Sequence, residues 1–69
     1  LRGVRVGLFI REDAPSVCKI SLRSMGDVDM NEIAGLFGGG GHAAAAGAEL
    51  ALPPESAAQT VLAAIEKRL

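Results

Sequence analysis

The sequence has no tryptophan and no tyrosine, and phenylalanine occurs only at Phe9 and Phe37. A core built from it must be aliphatic and thin, and platforms on which bare bases could stack are scarce. The single cysteine, Cys18, excludes an intramolecular disulfide and a multi-cysteine zinc site. Its neighbours Val17 and Ile20 mark it as a core thiol. Neither sign of charge dominates: seven Lys and Arg against eight Asp and Glu leave a formal −1. That is too little positive charge for a long nucleic-acid track, although one locally bound anion remains within reach. No apolar run is long enough to cross a bilayer, and no charged-then-apolar leader opens the chain, so a soluble, cytoplasmic protein without a membrane partner is expected. The 69 residues make one small domain. Because the chain starts at Leu1 and enters a strand-like pattern at once, it is read as the excised C-terminal domain of a larger protein.

Glycine is what the chain has in concentration. Gly38 to Gly41 stand in a row, followed by His42, the only imidazole. Each glycine carries a large entropy cost on ordering, so the run is expected neither to pack a core nor to hold a regular helix or strand. One reading is a helix stop at Gly38 followed by a loose linker. The other is a loop whose bare backbone N–H groups approach an anion, with His42 beside it to bond a phosphate oxygen.

Around this run the pattern predicts a small fold. Val4, Val6, Leu8 and Ile10 alternate as a first strand with one buried face. Glu12-Asp13-Ala14-Pro15 supplies the turn. A second strand over Ser16 to Ser24 turns Cys18, Ile20 and Leu22 inward and Lys19, Ser21 and Arg23 outward, giving an antiparallel hairpin. Asp29 and Glu32 resemble a capping box that opens a helix over Met30 to Phe37, with Asn31 an unfavourable inclusion. A third strand is expected over roughly Ala45 to Leu52, where Gly47 marks a close backbone approach. After Pro53-Pro54, the spacing of Ala58, Val61, Leu62, Ile65 and Leu69 predicts an amphipathic cover helix. The expected fold is a single small α/β domain of the α+β kind, a hairpin plus a further strand in a mixed sheet covered by two helices.

Taken together, Leu22-Arg23-Ser24, Gly26-Asp27-Val28-Asp29-Met30-Asn31 with Ile33-Ala34, Phe37, and Gly39-Gly40-Gly41-His42-Ala43-Ala44-Ala45-Ala46-Gly47 resemble the C-terminal, DHH-associated domain of the DHH phosphoesterase superfamily. The resemblance covers nearly the whole chain. It looks most like the branch that degrades very short oligoribonucleotides and dephosphorylates 3′-phosphoadenosine 5′-phosphate. Cyclic or linear dinucleotide phosphodiesterases share the same elements, and related domains accompany alanyl-tRNA synthetase as nucleic-acid binding modules. The resemblance implies a hydrolase of two domains, in which an N-terminal DHH domain of the same chain carries a pair of manganese ions. This piece would bind no cofactor or metal and carry no catalytic residue. Its share would be to grip a short RNA or nucleotide: Arg23 and Ser24 as a phosphate clamp, Gly39, Gly40 and Gly41 as a donor-lined loop, His42 on the phosphate, and Ala45, Ala46 and Gly47 as a floor for the terminal nucleotide. A homodimer of the full protein is also compatible with the family. Ala43-Ala44 departs from relatives that carry a basic or polar residue after the histidine.

Overall fold

A computed structural model of the chain describes residues 5–25 and 28–68. Along it run β1 (Arg5–Ala14), β2 (Val17–Met25), α1 (Met30–Gly35), β3 (Gly40–His42), β4 (Ala45–Leu50) and α2 (Pro54–Glu66). The strands form one sheet in the order β1-β2-β4-β3, with every neighbouring pair antiparallel. The expected α+β class therefore holds. The sheet has one strand more than anticipated and no parallel pairing.

Val4, the expected start of the first strand, lies outside the described residues. The strand continues past Ile10 through the residues expected to turn, its ladder pairing Arg11 with Lys19, Glu12 with Cys18 and Ala14 with Val17, and Arg11 and Asp13 form an exposed ion pair at 2.6 Å. That hydrogen bond from Arg11 holds the Asp13 carboxyl below its usual pKa. A register shift between Glu12 and Ala14 then leads into a two-residue turn at Pro15 and Ser16, where Ser16 takes a φ of 57°. Strand β2 starts one residue later than expected and buries Cys18, Ile20, Leu22 and Ser24 on one side. Cys18 is a core thiol as anticipated, and burial pushes its pKa up.

Asp29 caps α1, its Oδ1 accepting from the Asn31 N–H at 2.9 Å and the Glu32 N–H at 3.3 Å. The capping box is only half formed. The Glu32 carboxylate accepts instead from Arg68 Nε at 2.9 Å and ties α1 to the end of α2. The helix is shorter than the expected Met30 to Phe37. It closes through Gly38 N–H to Gly35 C=O at 3.2 Å and Gly39 N–H to Ala34 C=O at 2.9 Å, with Gly38 at φ 81°. This is a Schellman stop with glycine in the left-handed position, as the sequence led one to expect.

Both helices lie on one face of the sheet, and the core between them is centred on Ile20, Leu22, Met30, Ile33, Val61 and Cys18. Helix α2 is rotated from its expected face. Ala57, Val61 and Ile65 are its buried positions, Ala58 is half-buried and Leu62 is 46% exposed. Leu69 lies outside the described residues. The other face of the sheet is open among the described residues.

Candidate functional site

The open face can be read row by row from the strand registers, since directly paired residues point the same way. One row crosses all four strands as Gly7, Arg23, Ala45 and His42. The next row is Phe9, Ser21, Gly47 and Gly40, and the third is Arg11, Lys19 and Glu49. Arg23, Ala45, His42 and Gly40 are exposed and Gly47 is half-buried. Arg23 and His42 therefore stand on either side of Ala45, two strand spacings or about 10 Å apart at the backbone. The methyl group of Ala45 leaves a trough between a guanidinium and an imidazole.

Strand alternation divides the expected site. Ser24 follows Arg23 directly and so points through the sheet. Its side chain is buried, and its Oγ has no hydrogen-bond partner. An Arg23–Ser24 side-chain clamp on one phosphate is therefore excluded, because neighbouring strand residues face opposite sides. Ala46 is turned toward the core for the same reason, half-buried and packed against it. Five of the expected residues share the open face: Arg23, His42, Ala45, Gly47 and Gly40.

Only the first half of the glycine run, Gly38 and Gly39, is a connecting turn. Gly40 and Gly41 belong to β3 with His42, paired to Gly47, Ala46 and Ala45 of β4. Packing requires bare glycine here after all. A Cβ on Gly39 would stand 2.1 Å from the Gly47 carbonyl oxygen, and one on Gly41 would stand 2.6 Å from that of Ala45. The expected close approach at Gly47 is also present, since a Cβ there would lie 2.9 Å from the Ile20 carbonyl oxygen.

The turn after His42 is held from outside. Ala43 C=O accepts from Met30 N–H and Ala44 C=O from Ser24 N–H, each at 2.9 Å. On the outer edge of β3, Gly41 N–H donates to Asn31 Oδ1 at 2.9 Å. Asn31 thus carries a role that composition did not reveal. The only hint was a poor helix former inside the first turn with no local task. We expect Asn31→Ala to lose about 0.5–1.5 kcal/mol of stability and to speed hydrogen exchange of the Gly41 amide, whereas Asn31→Asp, which keeps the acceptor, should protect it. Exchange rates unchanged in both variants would contradict this tether.

Among the described residues no three His, Cys, Asp or Glu side chains converge as metal ligands, and no helix is long and apolar enough to cross a membrane. What the face offers is cationic and hydrogen-bonding recognition on a floor of small residues. Such a floor suits a flat or anionic group lying close to the backbone.

Residues 2–69 match the DHHA1 domain family, and the chain belongs to that family. This is a domain of DHH phosphoesterases. Among curated proteins, the chain is 41% identical over 70 residues to the bifunctional oligoribonuclease and PAP phosphatase NrnA of Thermus thermophilus. The match takes in 100% of this chain but 21% of that protein, so the chain spans about a fifth of the length of its relative.

Proposed function

We propose that this chain is the substrate-binding domain of a manganese-dependent phosphoesterase that hydrolyses short oligoribonucleotides, 3′-phosphoadenosine 5′-phosphate, or both. The observation that carries this reading is the exposed row in which Arg23 and His42 flank Ala45. A guanidinium presents a planar fork of donors to phosphate oxygens, and an imidazole adds another bond from the far side of the trough. The bare backbone of Gly47 and Gly40 in the next row lets a sugar or base settle without a clash. The match to NrnA supports the substrate class, since its name describes both activities.

The metal pair belongs, in this proposal, to the part of the protein beyond this chain, because the described residues bring no ligand set together. When bound there, such ions supply an activated water for attack on phosphorus. This domain would hold the phosphate and orient the terminal nucleotide toward that centre. Short substrates suit it because one phosphate grip at the end of a strand needs little total charge.

The test is substitution in the intact protein, assayed on a 5′-phosphorylated diadenylate. Arg23→Ala and His42→Ala should each lower kcat/KM by about 10- to 100-fold, the equivalent of about 1.5–3 kcal/mol for a charge-assisted contact, with the melting temperature unchanged. Ser24→Ala should leave kcat/KM near wild type, since that hydroxyl faces the core. Unchanged kinetics in both the Arg23 and His42 variants would refute the reading.

A further inference from the structure

Phe9 breaks the pattern of its own strand. The inward side of β1 is Val6, Leu8 and Ile10, which pack on the core, yet Phe9 stands on the opposite side and is 58% exposed. Its ring folds over Gly7, where an added Cβ would meet the ring Cε2 at 3.3 Å and Cζ at 3.7 Å. Hollows of about 320 and 280 Å³ flank this ring, the first lined also by Arg11, Lys19 and Ser21 and the second also by Gly7 and Arg23. The largest apolar side chain of the open face thus sits between a polar hollow that carries Arg11 and Lys19 and a mostly apolar one bordered by Arg23.

Register gives the spacing. Arg23, Ser21 and Lys19 point the same way along β2, so each step covers about 6.7 Å. Phe9 lies directly opposite Ser21, and Arg11 directly opposite Lys19. Along the backbone the face therefore runs from Arg23, through Phe9 and Ser21, to Arg11 and Lys19, with the Phe9 ring leaning back over Gly7 to stand beside Arg23. Arg11 is engaged with Asp13, while Lys19 forms no ion pair among the described residues. Among the described residues, four cations, Arg5, Arg11, Lys19 and Arg23, share this face with only Asp13 and Glu49, although the chain as a whole carries −1. Charge among the described residues is thus unevenly spread, with a positive excess on the side that no described helix covers.

We propose that Phe9, Ser21 and Lys19 form a second-nucleotide subsite. The Phe9 ring stacks the base of the nucleotide next to the one held at Arg23 and His42, Ser21 bonds its sugar or phosphate, and Lys19 meets the phosphate beyond. This rests on the function proposed above and extends it from one nucleotide to a short strand. Stacking on a ring is tolerant of base identity, so the subsite would measure length and leave sequence unread. It also assigns work to one of the two aromatic residues in a chain otherwise poor in them.

The experiment compares affinities of the intact protein for 3′-phosphoadenosine 5′-phosphate and for a hydrolysis-resistant, phosphorothioate-linked 5′-phosphorylated triadenylate. Phe9→Ala should weaken binding of the triadenylate about ten-fold or more and leave the mononucleotide unchanged, while Phe9→Trp should restore the longer ligand. Lys19→Ala should likewise weaken only the triadenylate, and its effect should shrink at high salt. Phe9→Ala that alters neither ligand, or weakens both alike, would overturn the subsite. The latter with a lowered melting temperature would identify the ring as a cover for Gly7 or as a contact for another protein surface. Arg23→Ala serves as the reference. If it weakens both ligands while Phe9→Ala is silent, the subsite alone fails; if Arg23→Ala is silent on both, the underlying function fails first.

Discussion

Alanine at Gly39 is expected to cost the domain about 3 kcal/mol or more, beyond the usual range for overpacking a core by one methyl group. The new Cβ would stand 2.1 Å from the Gly47 carbonyl oxygen, 2.6 Å from the Ala48 Cβ and 2.7 Å from the Ala48 Cα. None of these atoms is the free end of a flexible side chain, so no rotamer change relieves the contact. The strand β3 must lift from β4, and His42 moves with it. Gly40→Ala is the matched control, because its nearest neighbour would be Asn31 Oδ1 at 3.4 Å. It should change stability by less than about 1 kcal/mol. Urea denaturation of the two variants reads the difference directly. Equal midpoints would show that β3 does not press on β4 as described.

The second large effect concerns the cover helix. Ile65 is 4% exposed and belongs to the core, so Ile65→Ala should destabilise the protein by about 2–5 kcal/mol through lost burial and an unfilled cavity. Leu62 looked like its equal in the sequence but is 46% exposed, and Leu62→Ala should cost less than about 1 kcal/mol. Thermal melts of the two variants should therefore separate widely. Similar melting temperatures would contradict the observed rotation of α2. The buried stripe runs through Ala57, Val61 and Ile65, with Arg68 continuing the face to reach Glu32. Alanine was the obstacle to reading this face, since Ala57 and Ala58 weigh equally in a hydrophobic pattern and only packing distinguishes them.

The hairpin was readable because β2 alternates cleanly, with Cys18, Ile20 and Leu22 inward and Lys19, Ser21 and Arg23 outward. The Gly38 stop and the Asp29 cap were readable for a related reason: both depend on residues within a few positions of each other. The glycine strand was not. Whether Gly39 needs to be bare depends on the Gly47 carbonyl eight residues on, and sequence proximity says nothing about that approach. The start of the third strand at Ala45 was found, but its end was placed two residues too far because Leu52 packs on the core from outside the strand. In the candidate site, Arg23 was expected on the second strand and Ala45 to Gly47 on the third, whereas Gly39 to His42 were expected as a loop, and a motif is a string without faces. Applying the strand period to the string separates Arg23 from Ser24 and Ala45 from Ala46. Phe9 was passed over because it lies outside the glycine and arginine motifs, and only the register with Ser21 brings it next to them.

The row of Arg23, Ala45 and His42 crosses the seam between two local hairpins, β1–β2 and β3–β4, each closed by a two-residue turn. Each hairpin can form from neighbouring segments, but the row exists only once β2 has met β4 across more than twenty intervening positions, a slower event because of its loop-closure entropy. An anion gripped by both residues would therefore act as a rivet between two independently closing halves. Its binding energy would add to the stability of the whole domain in proportion to the logarithm of its concentration. In a cell, the supply of such an anion would then help to determine how much of this small domain stays folded.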